Sequence, residues 1–255
     1  MCIRDRTAYD CPTARMVDAA RVDLILVGDS AANVVHGMAT TIGIGMEEML
    51  LHTRAVAAGV ERALVVADMP FLSYQASTED AVRNAGLFLK AGAEAVKLEG
   101  ATGSVLAAVR RLIELGIPVL GHVGLTPQSV HQLGGYRLQA KTPVERELLV
   151  SGARELEAAG CFAVVIEKVP AEAAAAVTRA LAIPTIGIGA GPDCDGQILV
   201  LHDMAGMTDG PRFRFVKRYA ELGQELVRAV GEYADDVRAG RFPDREHSFY
   251  LDENG

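Results

Sequence analysis

Leu24-Ile25-Leu26-Val27-Gly28-Asp29 is a short apolar run that closes on a carboxylate, and the pattern recurs along the chain. Leu64-Val65-Val66-Ala67-Asp68, Ala95-Val96-Lys97-Leu98-Glu99 and Val164-Val165-Ile166-Glu167 repeat it. Brief runs rich in β-branched residues read as buried strands. Further apolar segments fall near 117–121, 184–188 and 197–201, so seven strands are legible. Between them lie amphipathic stretches from Met46 to Gly59, Thr78 to Ala91, Ser104 to Leu115 and Pro143 to Ala159. Ser77-Thr78-Glu79-Asp80 opens one of these with a cap and acidic groups at its positive end. Gly92, Gly116 and Gly160 stop three of them shortly before the next strand. Strict βα alternation implies a parallel sheet. The expected fold is therefore α/β, a (β/α)8 TIM barrel, with an open doubly wound sheet as the alternative. The alternative wants a phosphate loop after its first strand, and none is legible there. Gly187-Ile188-Gly189-Ala190-Gly191-Pro192 has proline where a dinucleotide fingerprint needs glycine.

The length of 255 residues suits one barrel, and half of them are hydrophobic. No Pro/Ser-rich or strongly charged linker divides the chain. Residues 7–255 are thus expected to form a single barrel domain with a C-terminal helix, read from Phe213 to Arg238, and an irregular tail. That tail is expected to cover the barrel or a subunit contact. A net charge of -8 argues against nucleic acid or an anionic membrane as partner. No apolar run is long enough for a transmembrane helix. The four cysteines show neither CxxC spacing nor a disulfide framework, which fits a reducing, cytoplasmic setting. Met1-Cys2-Ile3-Arg4-Asp5-Arg6 carries three charges where a barrel wants its first apolar strand. These six residues are expected to be a non-native or artefactual start joined to the chain at Thr7, with the first strand truncated or replaced.

A carboxylate at the carboxyl end of a barrel strand lies on the face where such folds do chemistry. Side chains alternate along a strand. Lys97 and Glu99 therefore share one side, facing the lumen, while Val96 and Leu98 meet the helix layer. The same count aligns Asp29 with Val27, Asp68 with Val66 and Glu167 with Val165. Several buried acids with one lysine leave negative charge uncompensated. An all-oxygen donor set would then take Mg²⁺ or Mn²⁺ rather than zinc. The opposing reading makes each acid a helix cap or a locally paired loop residue. Three roles are open to Lys97: a Schiff-base nucleophile, a cation for a substrate carboxylate, or a partner of Glu99. His122 either polarises a substrate oxygen or is a hydrogen-bonded rim residue. The glycine-broken loop from Ser129 to Tyr136 is expected to shape a pocket.

Several long blocks run in order over nearly the whole chain. They include Thr7-Ala8-Tyr9-Asp10, Val27-Gly28-Asp29-Ser30, His52-Thr53-Arg54-Ala55-Val56, Ala67-Asp68-Met69-Pro70-Phe71 and Val96-Lys97-Leu98-Glu99-Gly100. Gly121 through Gly135, Ile166-Glu167, Gly187 through Gly196, Val216-Lys217-Arg218-Tyr219, Phe242-Pro243 and His247-Ser248-Phe249 continue them. With these blocks the chain closely resembles the ketopantoate hydroxymethyltransferase family.

The resemblance implies a barrel of the phosphoenolpyruvate/pyruvate type assembled as a homo-oligomer, a decamer in the family. It implies transfer of a hydroxymethyl group from 5,10-methylenetetrahydrofolate to 3-methyl-2-oxobutanoate, giving 2-dehydropantoate on the route to pantothenate. By the same resemblance one Mg²⁺ per subunit is held by Asp29, Asp68 and Glu99. Asp29, Ser30, Asp68 and Lys97 bind substrate, and Glu167 is the proton acceptor. A Schiff-base or metal-dependent aldolase on another 2-oxo acid, and a barrel without activity, are the competing expectations. Two departures from the family pattern stand out. The family has a helix and an apolar strand before Thr7. It also has Thr-Thr-apolar-Pro-Val-Thr where this chain has Thr40-Thr41-Ile42-Gly43-Ile44-Gly45.

Overall fold

The structure, a computed structural model, describes residues 3–208 and 213–251. The chain divides into two compact units, Met1–Leu201 and His202–Gly255.

The first unit holds eight strands: β1 (Ile3–Thr7), β2 (Leu24–Val27), β3 (Leu64–Asp68), β4 (Ala95–Glu99), β5 (Val119–Gly124), β6 (Ala163–Glu167), β7 (Thr185–Ile188) and β8 (Gly196–Leu199). Each pairs in parallel with its sequence neighbours, and β1 pairs with β8, so the barrel closes. Helices α1 (Cys11–Ala19), α2 (Ala31–Val34), α3 (Met46–Ala57), α4 (Thr78–Lys90), α5 (Gly103–Glu114), α6 (Pro143–Ala158) and α7 (Ala171–Ala180) follow the strands in turn. A four-residue helix, α8 (Leu201–Met204), begins where the first unit ends.

The helix boundaries have local causes. Ser77 accepts the Asp80 backbone N–H at 3.1 Å. Thr142 and Glu145 form a reciprocal capping box, with Glu145 N–H to Thr142 Oγ1 at 3.2 Å and Thr142 N–H to Glu145 Oε2 at 2.9 Å. Gly92, Gly116 and Gly160 end their helices at φ of +104°, +80° and +103°, a region that favours glycine.

Two apolar layers follow from strand alternation. Ile25, Val65, Val96, Leu98, Val119, Val164 and Ile166 pack against the helices. Leu24, Leu26, Val66, Ala95, Leu120, Val165, Ile186 and Ile198 form a separate cluster made of strand residues alone, which is the lumen filling. Leu120 and Ile166 are fully buried, one in each layer. Each such side chain contributes roughly 1.5–3 kcal/mol of transfer free energy.

The charged start does form a strand. Residues 3–7 supply β1, in register with β2 and with β8. Residues 1 and 2 lie outside the described residues. Asp5 pairs in register with Leu24 on one side and Ile198 on the other, both lumen residues, so its carboxylate points into the lumen. It is fully buried. Burial and then Asp23 raise its carboxyl to about 7, against weaker opposing effects from Arg6 and the Leu24 backbone N–H.

The second unit carries α9 (Leu222–Arg238). This helix starts later than the sequence predicts. The N–H groups of Tyr219 and Leu222 bond to the carbonyls of Met204 and Ala205 at 2.8 and 2.9 Å. Donors used that way cannot build the preceding helical turns. Phe213 and Phe215 stack instead, with ring centroids 5.6 Å apart. No helix among the described residues is long and apolar enough to cross a membrane.

Candidate active site

The carboxyl ends of β2 to β6 bring Asp29, Asp68, Lys97, Glu99, His122 and Glu167 to one mouth of the barrel. Register explains most of this. Asp68 pairs with Lys97, Glu99 with His122, and Gly124 with Glu167 across neighbouring strands. Asp68 and Glu167 lie two residues beyond Val66 and Val165, which face the lumen as alternation requires.

Asp29 arrives differently. Val27, its expected partner in the alternation, packs against the helices and not in the lumen. The strand ends at Val27, and the chain turns through Gly28, with Ala31 N–H bonding Gly28 O at 3.1 Å and Ala32 N–H bonding Asp29 O at 2.9 Å. The turn swings Asp29 inward, where it is 4% exposed. A Cβ on Gly28 would stand 2.7 Å from Ser30 Oγ and would push that hydroxyl out of its present position.

The acids gather around one ammonium group. Lys97 Nζ lies 2.6 Å from Asp68 Oδ1 and 3.4 Å from Glu99 Oε1. Asp68 Oδ2 accepts the Asp29 backbone N–H at 2.9 Å. His122 bridges the two sides of the mouth, with Nδ1 3.4 Å from Glu99 Oε1 and Nε2 3.4 Å from Glu167 Oε2. Glu167 is the most open of these groups, its side chain 17% exposed where the others are 5% or less.

Their electrostatics follow from burial and crowding. Asp29 is pushed well above the usual carboxylate range by burial, then by Asp68 and Glu99. Burial also raises Asp68, against the pull of Lys97. Burial would raise Glu99 too, but Lys97 and His122 outweigh it and hold it at about 2. Burial and Lys97 oppose a charge on His122, yet its contacts with Glu167 and Glu99 carry it to about 9. Burial alone would lower Lys97; Asp68, Glu99 and Asp29 more than reverse this, so it stays an ammonium. A lysine held charged is a poor Schiff-base nucleophile, because attack needs the free amine.

Three participants carry no signal in the sequence pattern. Tyr9, 2% exposed, places its hydroxyl 2.9 Å from Ser30 Oγ, and its carbonyl contacts His52 Nδ1 at 2.7 Å. Tyr74 accepts the Glu99 backbone N–H at 3.0 Å and donates to Gln128 Oε1 at 2.8 Å. Gln128 lies in the loop after β5 and is 5% exposed. Tyr136, in the same loop, feels burial first and then Asp29, Glu167 and Glu99, all of which push its phenol up. Cys194, 58 residues of sequence away from Tyr136, is raised mainly by burial, which leaves it an inert thiol.

Asp29, Asp68 and Glu99 form an all-oxygen donor set, which suits Mg²⁺ or Mn²⁺. Asp68 Oδ1 is buried and faces the Lys97 ammonium at 2.6 Å. Burial first, and then the neighbouring Asp68 and Glu99, push Asp29 up, a crowding of carboxyl groups that a cation would relieve. By donor chemistry and charge the residues fit a divalent cation. Among the described residues no three His, Cys, Asp or Glu groups are already spaced around a common ion position.

Comparisons with known proteins show the family. The family described as ketopantoate hydroxymethyltransferase matches residues 2–245. A 3-methyl-2-oxobutanoate hydroxymethyltransferase of Syntrophobacter fumaroxidans is 52% identical over 98% of this chain and 89% of its own. Its counterpart in Moorella thermoacetica is 54% identical over 95% and 90%. Among solved structures, a phosphonopyruvate hydrolase complexed with oxalate and Mg²⁺ superposes with a TM-score of 0.63 at 14% identity, over 96% of this chain and 88% of that one. A 2,3-dimethylmalate lyase of the PEP mutase/isocitrate lyase superfamily gives 0.60 at 19% identity, over 99% and 91%. These two likenesses concern the fold, a TIM barrel as the sequence predicts. The family match spans nearly the whole sequence, and the chain belongs to the ketopantoate hydroxymethyltransferase family.

Proposed function

We propose that this chain transfers a hydroxymethyl group from 5,10-methylenetetrahydrofolate to 3-methyl-2-oxobutanoate, giving 2-dehydropantoate, with one Mg²⁺ per subunit. The observation that carries the reading is the convergence of Asp29, Asp68, Lys97, Glu99 and Glu167 at one mouth, with His122 between Glu99 and Glu167. Asp29 and Asp68, with Glu99 beside them, would hold the ion. Bound there, the cation would supply positive charge to the oxygens of a 2-oxo acid as negative charge develops.

The remaining work falls to this chain's own groups. Lys97, fixed as an ammonium, binds the substrate carboxylate, and Ser30 and Asp29 line the same end. Glu167 is the more exposed carboxylate, on a later strand, and accepts the proton from C3. Water opens the methylene bridge: both C–N bonds break, tetrahydrofolate leaves with the two protons on its nitrogens, and the carbon keeps the water oxygen at the aldehyde level. The enolate carbon then adds to it, and the alkoxide formed takes up a proton to give the hydroxymethyl group. His122 holds Glu167 from the metal side. The charged state of Lys97 speaks against the Schiff-base alternative.

The test is turnover of the oxo acid with methylenetetrahydrofolate and Mg²⁺ by wild type and Glu167→Gln. Loss of a general base is expected to lower kcat by about 10²–10⁴-fold. Full activity in Glu167→Gln, or in metal-stripped enzyme, overturns the mechanism. Borohydride trapping of substrate on Lys97 would favour the aldolase instead. Sedimentation of the active enzyme tests the expected decamer.

A further inference from the structure

Gln128 sits where the loop after β5 meets the acids, and every hydrogen-bonding position of its side chain is used. Its Oε1 accepts from Tyr74 Oη at 2.8 Å and from Gln75 Nε2 at 2.9 Å. Its Nε2 donates to Asp29 Oδ2 at 3.0 Å and to the Met69 carbonyl at 2.9 Å. The amide can be oriented only one way, because both neighbours of Nε2 are acceptors and both neighbours of Oε1 supply hydrogens. Its backbone N–H donates in addition to Glu99 Oε2 at 3.1 Å. One buried residue therefore grips a carboxylate after β2 and another on β4, while resting on a carbonyl just past β3.

We propose that Gln128 is a positioning residue for the metal-side carboxylates: its amide holds Asp29, its backbone N–H holds Glu99, and together they set the geometry in which a divalent cation is bound. The inference rests on the metal reading of the site. Each anchor takes one oxygen of its carboxylate and restricts the rotation of the other. Asp29 depends on this most, because it stands in a turn and not on a strand, and its own backbone N–H is committed to Asp68. Lys97 cannot substitute, since its short contacts run to Asp68 and Glu99. The residue must also be glutamine. Glutamate would set an acceptor against Asp29, and asparagine is one methylene short of it. A partner that orients a metal ligand without touching the ion acts through the ligand's rotamer.

The experiment is calorimetric titration of Mg²⁺ into the full-length wild type and into Gln128→Met, which keeps the length and neutrality of the side chain but removes its donors and acceptor. Loss of such an anchor is expected to weaken Mg²⁺ binding about 10–100-fold. The oxo-acid reaction of Gln128→Met should recover towards wild type as Mg²⁺ is raised, which a merely damaged fold would not do. Gln75→Met, which removes one support of Oε1 and leaves Asp29 gripped, should weaken Mg²⁺ binding by no more than about threefold. Wild-type Mg²⁺ affinity in Gln128→Met overturns the proposal and leaves the metal reading standing. Absence of Mg²⁺ binding by the wild type overturns both. Should Gln128→Met fail to fold, Gln128→Asn serves the same test, and wild-type affinity in it is equally fatal.

Discussion

Asp5 and the acids of the mouth are buried in the same barrel, yet among the described residues only the mouth acids share a lysine. Level with Leu24 and Ile198, Asp5 is raised by burial and by Asp23, which the Arg6 charge and the Leu24 backbone N–H only partly offset. At the mouth, Asp68 and Glu99 share Lys97, Glu99 contacts His122, and Asp29 is held by Gln128. Burial acts on all of them alike. The outcome differs from acid to acid: Asp29 and Asp68 are raised as Asp5 is, while Lys97 and His122 beside Glu99 outweigh its burial. Glu99 is held at about 2, whereas Asp5 rises to about 7. A cluster of buried acids around a shared cation points to a binding site; Asp5, with no lysine beside it among the described residues, reads instead as a conflict within the lumen.

The largest expected effect comes from removing the compensation. Lys97→Met would leave the mouth acids without their shared cation. Breaking a buried pair in this way costs about 3–5 kcal/mol, and substrate binding should be lost with it. Urea unfolding and oxo-acid binding measure the two effects. A Lys97→Met protein as stable as wild type would dissolve the contrast drawn above.

Asp5→Val is the converse experiment. A carboxyl carried from 3.8 to about 7 binds its proton more tightly in the folded state. The fold therefore loses stability as pH rises from about 4 to 7 and keeps the deficit above that, roughly 4 kcal/mol by linkage. Asp5→Val should be more stable at pH 8 and flatter between pH 4 and 7, measured by urea unfolding at several pH values. An unchanged pH profile would mean that Asp5 is already compensated.

His122→Gln should give a smaller change of opposite sign. His122 is raised to about 9 from 6.5, so its charged form stabilises the metal-free fold below pH 6.5. That contribution, roughly 3 kcal/mol at most, is lost as pH rises through 9. The variant should lack this loss on the alkaline side, which thermal unfolding in chelator would register.

The smallest effect is expected from Thr142→Ala, far from both sets. It removes one half of a capping box and should cost about 1 kcal/mol with no pH dependence and no change in turnover. A pH-dependent or catalytic effect there would mean that the two buried sets are not as local as their contacts imply.

Strands were legible because the β-rich runs are compact and end on acids. Alternation also carried Asp68, Lys97, Glu99 and Glu167 to the right side of the barrel. It failed at Asp29, since period-two counting holds only while the backbone stays extended, and β2 stops at Val27. At the start, where three charges stand in place of an apolar strand, backbone pairing with β2 and β8 sustains β1. Gln128 was visible only as a loop residue. Its partners Asp29, Met69, Tyr74 and Gln75 lie 53 to 99 positions away, and no local pattern encodes contacts of that span. The late start of α9 has the same origin, in backbone bonds to residues 204 and 205.

Gly124 ends β5 at φ +95°, and a Cβ placed there would collide with the carbonyl oxygen of Glu167. The two strands that carry His122 and Glu167 can therefore close up at their tips only because an atom is missing. Alanine at that point would act as a wedge, prising the base-bearing strand from the histidine-bearing one without altering either side chain. The spacing of the acid–base pair is in this sense written in the smallest residue nearby.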